Sequence, residues 1–269
     1  MTLAVCATPI GNLDDVTLRV LRELAEADLV LCEDTRRTQT LLRRHDIRAR
    51  LLSYHEHNEA ARTAEILPRL RAGERVALVS DAGLPGISDP GPRLVRAALE
   101  EGLEVTVLPG PSAVETALVA SGLLAERYHF VGYLPRGGRA LEALWEEVAV
   151  WPHPVVAFES PRRLPATLRS LAAAQPDRPV AVCRELTKRF EEVVRGSAAE
   201  VAARLPEPPK GEITLVLGAS SVRAAAPDDA SAAAAVRELV AAGVSRRRAS
   251  ELVAGLTGLG RRRLYETSL

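Results

Sequence analysis

The chain has 269 residues, 47% of them hydrophobic, which is enough for two compact α/β units with cores of their own. Its net charge of +0 removes any global attraction to nucleic acid or to a membrane surface, although residues 231–269 carry seven Arg against three Glu and the first 230 carry 28 basic against 32 acidic side chains. Cys6, Cys32 and Cys183 lie in apolar runs without a C-x-x-C partner and read as reduced core residues. No apolar stretch has the length of a bilayer crossing, and Met-Thr-Leu-Ala-Val leads straight into a strand without a basic n-region, so a cytoplasmic protein is expected.

In chain order, apolar β-rich runs recur at LAVCAT, LVLCE, RLLSYH, RVALVS and EVTVLP, each followed by a segment of helical period such as VTLRVLRELAEA. This alternation predicts an α/β lobe with a mainly parallel sheet over residues 1–112. A second lobe, 113–220, reads as YHFVGYLP, a helix ALEALWEEV, VVAFES, a helix from Pro161 to Ala174, VAVCRELT, FEEVVRG and EITLVLG. Two of its β-like runs, 179–187 and 190–195, are only a few residues apart, so a mixed sheet with antiparallel pairing is expected there. Residues 219–230 read as a linker, and 231–269 as a small basic helical extension broken at Gly243 and Gly258.

The densest turn chemistry follows the fourth run, where SDAGLPGISDPG packs three Gly, two Pro and two Asp into residues 80–91. TPIGNLDD, EDTRR and PGPSA hold the same position after runs one, two and five. In an open α/β sheet ligands bind beyond the carboxyl ends of the strands, so the four loops point to one surface that holds a small polar ligand largely through backbone; ordinary βα turns favour the same residues. No Walker A loop, no G-x-G-x-x-G after strand one and no G-x-S-x-G elbow is present.

The motifs ATPIGNLDDVTLRVL, LCEDTRRTQTLL, SDAGLPGISDPG, PGPSAVETAL, FESPRRL and CRELTKRFEEVVRG, in this order, resemble the RsmI-type ribosomal RNA ribose methyltransferases of the tetrapyrrole methylase superfamily. The resemblance spans residues 3 to about 218, and the basic tail resembles that family's helical extension. It implies a two-lobed enzyme, a homodimer, that binds S-adenosyl-L-methionine between its lobes and methylates the 2′-oxygen of cytidine 1402 in 16S ribosomal RNA. It also implies donor contacts from Pro9, Asp81, Ala82, Gly83 and Ile87, from Ser112 and Ala113, and from Phe158, Leu186, Glu212 and Thr214. Ser80-Asp81-Ala82 stands where the superfamily has Gly-Asp-Pro, a departure in the loop itself.

Methyl transfer from a sulfonium is an in-line displacement, so geometry is the main lever, with an acceptor for the hydroxyl proton. Asp81 is expected to be a donor-binding carboxylate or a turn cap. Glu33 and Asp34 follow strand two and are candidates to face the cleft, Asp34 equally to cap the next helix. Glu185 and Lys188 are catalytic candidates, because Lys188 is one of two lysines against 33 arginines and an ammonium can shift its pKa. Arg36, Arg37, Arg162 and Arg163 are candidates for phosphate contact. Arg246, Arg247 and Arg248 lie in a tail that resembles a small helix-turn-helix suited to RNA docking, with a plain helical hairpin as the alternative. His55 and His57 lack a third ligand at metal spacing. Two rival functions are a porphyrinoid C-methyltransferase on the same scaffold and a non-catalytic RNA-binding regulator.

Overall fold

The computed structural model describes residues 3–86, 89–220 and 229–268. The first lobe is a five-stranded parallel sheet, β1 (Leu3–Cys6), β2 (Leu29–Cys32), β3 (Leu51–Ser53), β4 (Val76–Val79) and β5 (Val105–Leu108), in the order β3-β2-β4-β1-β5. The strands are short and apolar throughout because helices cover both faces. Alternate side chains serve the two cores: Leu3, Val5, Leu29, Leu31, Val76 and Leu78 pack with α3 (Glu59–Arg71) and α4 (Pro92–Glu100). Ala4, Cys6, Val30, Cys32, Ala77 and Val79 pack with α1 (Leu18–Glu26) and α2 (Thr35–Arg44). α1 starts where the Thr17 hydroxyl accepts the Val20 N–H, and α2 where the Asp34 carboxylate accepts that of Arg36, each satisfying one unpaired donor of a first turn. The edge strand β3 is only half-buried and shorter than the apolar run that predicts it.

α5 (Ala113–Ser121) sends Val114, Ala117 and Leu118 into a core with Val156, Ala181, Cys183 and Val216 of the second sheet. That sheet, β6 (His129–Tyr133), β7 (Val155–Glu159), β8 (Pro179–Arg184), β9 (Glu192–Ser197) and β10 (Ile213–Leu217), runs in the order β6-β7-β10-β8-β9. Only the β6–β7 pair is parallel, so the sheet is mixed as the sequence predicts. α6 (Gly138–Val148), α7 (Leu164–Ala174) and α8 (Ala198–Arg204) add buried Trp145, Leu168, Leu171 and Val201. The predicted helix from Pro161 begins at Leu164 instead, because the Arg163 and Leu164 amides both close on the Ser160 carbonyl in a tight turn. The predicted strand 179–187 stops at Arg184, since Glu185 takes a left-handed backbone (φ 53).

Both sheets belong to one compact unit, and the terminal helices form another together with residues 149–152. In that second unit α9 (Asp229–Ala241), α10 (Arg246–Thr257) and α11 (Arg261–Thr267) close on Ala232, Val236, Ala249, Val253 and Leu264. The helix breaks fall at Gly243 and Gly258 as expected, Gly258 ending α10 in the left-handed conformation. Most of the predicted linker lies outside the described residues. Among the described residues no helix is long and apolar enough to cross a membrane.

Candidate active site

The loops after β1, β4 and β5 leave the same edge of a parallel sheet and are stitched together by backbone. Thr8 and Gly83 exchange N–H···O bonds of 2.8 and 3.0 Å, the Thr8 hydroxyl donates to the Ser80 carbonyl at 3.1 Å, and the Ala7 amide donates to Leu108 at 3.1 Å. Gly83 (φ 79), Gly86 (φ 90) and Gly91 (φ 137) make the turns of the 80–91 loop in a region that a Cβ disfavours. The second sheet presents one edge to this cluster, because Ile213 at the start of β10 pairs with Glu159 at the end of β7 and with Arg184 at the end of β8. The resulting cleft, about 870 Å³, is lined by Ala82 to Leu84, Asp89, the 109–112 loop and the first turn of α5, Tyr133, Phe158 to Pro161 and Gly211 to Thr214. A smaller recess of about 290 Å³ lies beside it, lined among others by Pro9, Arg37, Asp81 and Lys188, and shares Ile10, Ala82 and Glu212 with the cleft.

The two edges carry opposite electrostatics. On the first, burial and then the neighbouring Asp81 lift the Glu33 carboxyl above the ordinary carboxylate range, against the pull of Arg37. Burial, with Glu33 and Asp81 adding to it and a hydrogen bond from Ser80 opposing it, pushes Asp89 up to about 6. Tyr133 is raised by burial and by Asp89, Glu212 and Glu33. On the second edge, the Lys188 ammonium donates to Glu185 at 2.9 Å and to Glu212 at 2.8 Å, and Glu185 also accepts the Glu212 amide at 3.0 Å. Burial pulls Lys188 down, but these hydrogen bonds outweigh it and leave its pKa above the ordinary lysine value, while Glu185 is held low chiefly by Lys188. The clamp is tightly seated: a Cβ on Gly211 (φ 99) would lie 2.4 Å from Glu185 Cδ, and one on Gly11 would lie 2.6 Å from Lys188 Cγ. The Asn12 amide donates to Thr187 Oγ1 at 3.0 Å, tying the loop after β1 to the turn after β8.

The family model of the tetrapyrrole (corrin/porphyrin) methylases matches residues 2–202. The chain belongs to this family. Among curated relatives, ribosomal RNA small subunit methyltransferase I of Thermotoga maritima is 47% identical over 219 residues, 80% of this chain and 97% of that one. The protein of the same name from Micromonospora olivasterospora is 44% identical over 267 residues, 98% of this chain and 85% of that one. These matches group this methylase with the small subunit methyltransferase I proteins, and the chain is a methyltransferase. Two solved structures share the fold: the methyltransferase CobJ (TM-score 0.63, 22% identity, 82% of this chain and 95% of that one), and uroporphyrin-III C-methyl transferase from Thermus thermophilus complexed with S-adenyl homocysteine (TM-score 0.58, 21% identity, 80% and 96%).

In this methylase the expected donor residues divide between two cavities. Ala82, Gly83, Ser112, Ala113, Phe158, Glu212 and Thr214 line the larger cleft, whereas Pro9 and Asp81 line the recess. Leu186 does neither: its side chain is buried in the core of the second lobe, because the left-handed residues on either side, Glu185 and Thr187, turn it inward. Ile87 lies outside the described residues. Asp34 is the N-cap of α2, and hydrogen bonds from Arg36 hold its carboxyl down at about 2, so it is a capping residue, with Arg36 paired to it at 2.9 Å. Asp81 accepts the Asp34 amide at 3.0 Å and pairs with Arg37 at 3.3 Å. Lys188 lines the recess, its ammonium held between Glu185 and Glu212. Arg163 corrects the expectation of a phosphate contact, since its Nη2 donates to the Leu134 and Pro135 carbonyls and to buried Glu159; Arg162 beside it is exposed. In the helical unit, Arg247, Arg248 and Arg261 gather on Glu251 at 3.2 to 3.6 Å, and Arg246 opens α10 after Ser245. Among the described residues no group of His, Cys, Asp and Glu is arranged for a metal.

Sequence reasoning misses Asp89, Tyr133, Glu115 and Glu159. Ser112 donates to Glu115, which also accepts the Tyr128 hydroxyl at 2.6 Å; the S-x-x-E spacing of a helix start is the signal for it. Glu159 is 3% exposed and accepts from Arg163 at 3.0 Å and Thr167 at 2.5 Å, a pairing made by the turn between β7 and α7 that carries no signal of its own in the sequence.

Proposed function

We propose that this methyltransferase transfers the methyl group of S-adenosylmethionine to a ribose 2′-hydroxyl of 16S ribosomal RNA, cytidine 1402 being the nucleotide that the family resemblance implies. The observation that carries this reading is the convergence of strand-end loops from both sheets on one cleft, beside a recess that holds Arg37 and Lys188. At about 870 Å³ the cleft lies within the range of roughly 300–1,000 Å³ for small-molecule sites. Its lining suits the donor: backbone of the 109–113 loop, apolar Ile10, Leu84 and Phe158, and the carboxylates Asp89 and Glu212 toward cationic groups.

Bound there, S-adenosylmethionine would supply an electrophilic methyl on a sulfonium. The chain's own part is to hold and orient. Ala82, Gly83, Ser112, Ala113, Phe158 and Thr214 shape the donor pocket, Glu212 is fixed by Lys188, and Lys188 with Glu185 sets the charge where the hydroxyl loses its proton, whereas Glu33 lines the neighbouring groove between α3 and α4. Arg36, Arg37 and Arg162 with the arginines of α10 and α11 meet phosphates, a contact that weakens with salt. The names of the curated relatives support the RNA substrate, and the S-adenyl homocysteine complex of a neighbour of the same fold supports the donor. On the resemblance, the enzyme acts in the cytoplasm as a homodimer.

Tritiated methyl transfer to 16S RNA and to small subunits, followed by nuclease mapping, tests the reading. Label on one ribose is expected. Label on a base, or transfer to a porphyrinoid and not to RNA, would overturn it, and calorimetry showing no donor binding by the intact chain would end both enzyme readings.

A further inference from the structure

We propose that the recess of about 290 Å³ beside the donor cleft is the subsite for the acceptor nucleotide: one unstacked nucleotide of a single-stranded RNA, with its ribose at the junction with the cleft, where Ile10, Ala82 and Glu212 line both. This inference rests on the RNA-methylating reading above. Three observations carry it.

Ile10, Ala82 and Glu212 line both the recess and the donor cleft, so the two cavities adjoin at these residues, and an oxygen of a ribose held at that junction faces a methyl group in the cleft with nothing else to cross, as in-line transfer demands. The size admits one nucleotide and not a stretch of strand, since the recess sits at the lower end of ligand-pocket volumes, which start near ~300 Å³. The polar groups alternate. Each cation has a carboxylate beside it, Arg37 with Asp81 at 3.3 Å and Lys188 with Glu212 at 2.8 Å. A bare phosphate would find as much repulsion as attraction in that set, whereas ribose hydroxyls, each both donor and acceptor, match a mixture of ammonium and carboxylate. Arg37 is 61% exposed and pairs with Asp81 at 3.3 Å at the rim, so its solvent side faces the position of a phosphodiester that flanks the nucleotide outside the recess. The other large groove of the first lobe, about 840 Å³ between α3 and α4, is lined by Glu33, Glu56, Glu59, Asp89 and Glu100 against two arginines and repels a phosphate backbone.

Thr40, exposed on α2, lines the recess and does not line the donor cleft. The test compares Thr40→Trp, which fills the recess, and Arg37→Ala with Ala64→Trp, which fills the acidic groove. Each is measured for S-adenosylhomocysteine affinity by calorimetry and for methylation of 16S RNA. All three are expected to bind S-adenosylhomocysteine like the parent, which also certifies their folding. Thr40→Trp is expected to raise KM for RNA at least tenfold, Arg37→Ala to raise it severalfold and flatten the salt dependence by about one phosphate contact, and Ala64→Trp to change neither. Parent-like RNA kinetics in Thr40→Trp and Arg37→Ala, or a loss confined to Ala64→Trp, would overturn the subsite while leaving the enzyme assignment standing. A parent chain that binds the donor and leaves RNA unlabelled would instead end the assignment itself, and the subsite with it.

Discussion

The two edges that meet at the cleft solve opposite problems. The first sheet brings Glu33, Asp81 and Asp89 together on loops after β2 and β4, and two of the three are pushed toward their neutral forms by burial and mutual repulsion. The second edge brings Glu185 and Glu212 together around Lys188 and holds the carboxylate Glu185 firmly ionised. Parallel strands deliver every βα loop to one side, which crowds like charges on the first edge; antiparallel strands alternate direction, and the second edge is built from a strand start between two strand ends. The first edge therefore holds carboxyls raised toward their neutral forms, while the second is pinned by an ion-paired lysine.

The most damaging change to the pinned edge is expected at Glu159, which ends β7 and joins Arg163, Thr167 and the Ser160 amide around one buried carboxylate. Glu159→Ala leaves Arg163 half-buried without its counter-charge and should cost about 3 kcal/mol in urea denaturation, the usual scale for breaking a buried pair. Gly211→Ala should come next, at about 2 kcal/mol, because it combines a left-handed backbone with a methyl group driven into Glu185. Donor affinity should fall with it, since Glu212 is the neighbouring residue and lines the cleft. A Gly211→Ala protein with parent stability and parent donor affinity would show that the clamp is not rigid.

Much of this contrast was legible in the residues themselves. Four-residue runs such as LVLC and VALV, apolar at every position, announce strands covered on both faces, and the Gly-, Pro- and Asp-rich loops at their ends mark the site edge. Orientation was not legible. Leu186 reads as a cleft residue until two left-handed neighbours turn it into the core. Asp89 stands inside the loop that draws most notice, yet turns favour Asp whatever its role, and its burial near Glu33 shows only in the folded chain. SPRRL offers two adjacent arginines, and only the tight turn between β7 and α7 brings Arg163 back onto Glu159 while Arg162 stays exposed.

The smallest expected effect discriminates most sharply between the edges, because its sign reverses. Asp89 titrates at about 6 in the fold against an ordinary 3.8, so below 3.8 it is protonated in both folded and unfolded chains and contributes nothing. As pH rises from 3.8 through 6 the unfolded carboxyl ionises freely, the folded one resists, and stability is lost. Asp89→Asn should remove that loss, stabilising the chain at pH 8 by about 1 kcal/mol after allowing for the solvent that screens a partly exposed group, and leaving it unchanged near pH 4. Glu185→Gln should do the reverse. Its carboxyl is held below the ordinary 4.5, so its contribution is present above that value and fades as pH falls through the lower folded pKa; the variant should be less stable at pH 8 and converge on the parent in acid. Denaturation midpoints of the two variants at pH 4 and pH 8 decide the matter. Changes of the same sign at pH 8 would mean that the two edges do not differ in kind, and that Asp89 is held by Ser80 as an ordinary hydrogen-bonded turn residue.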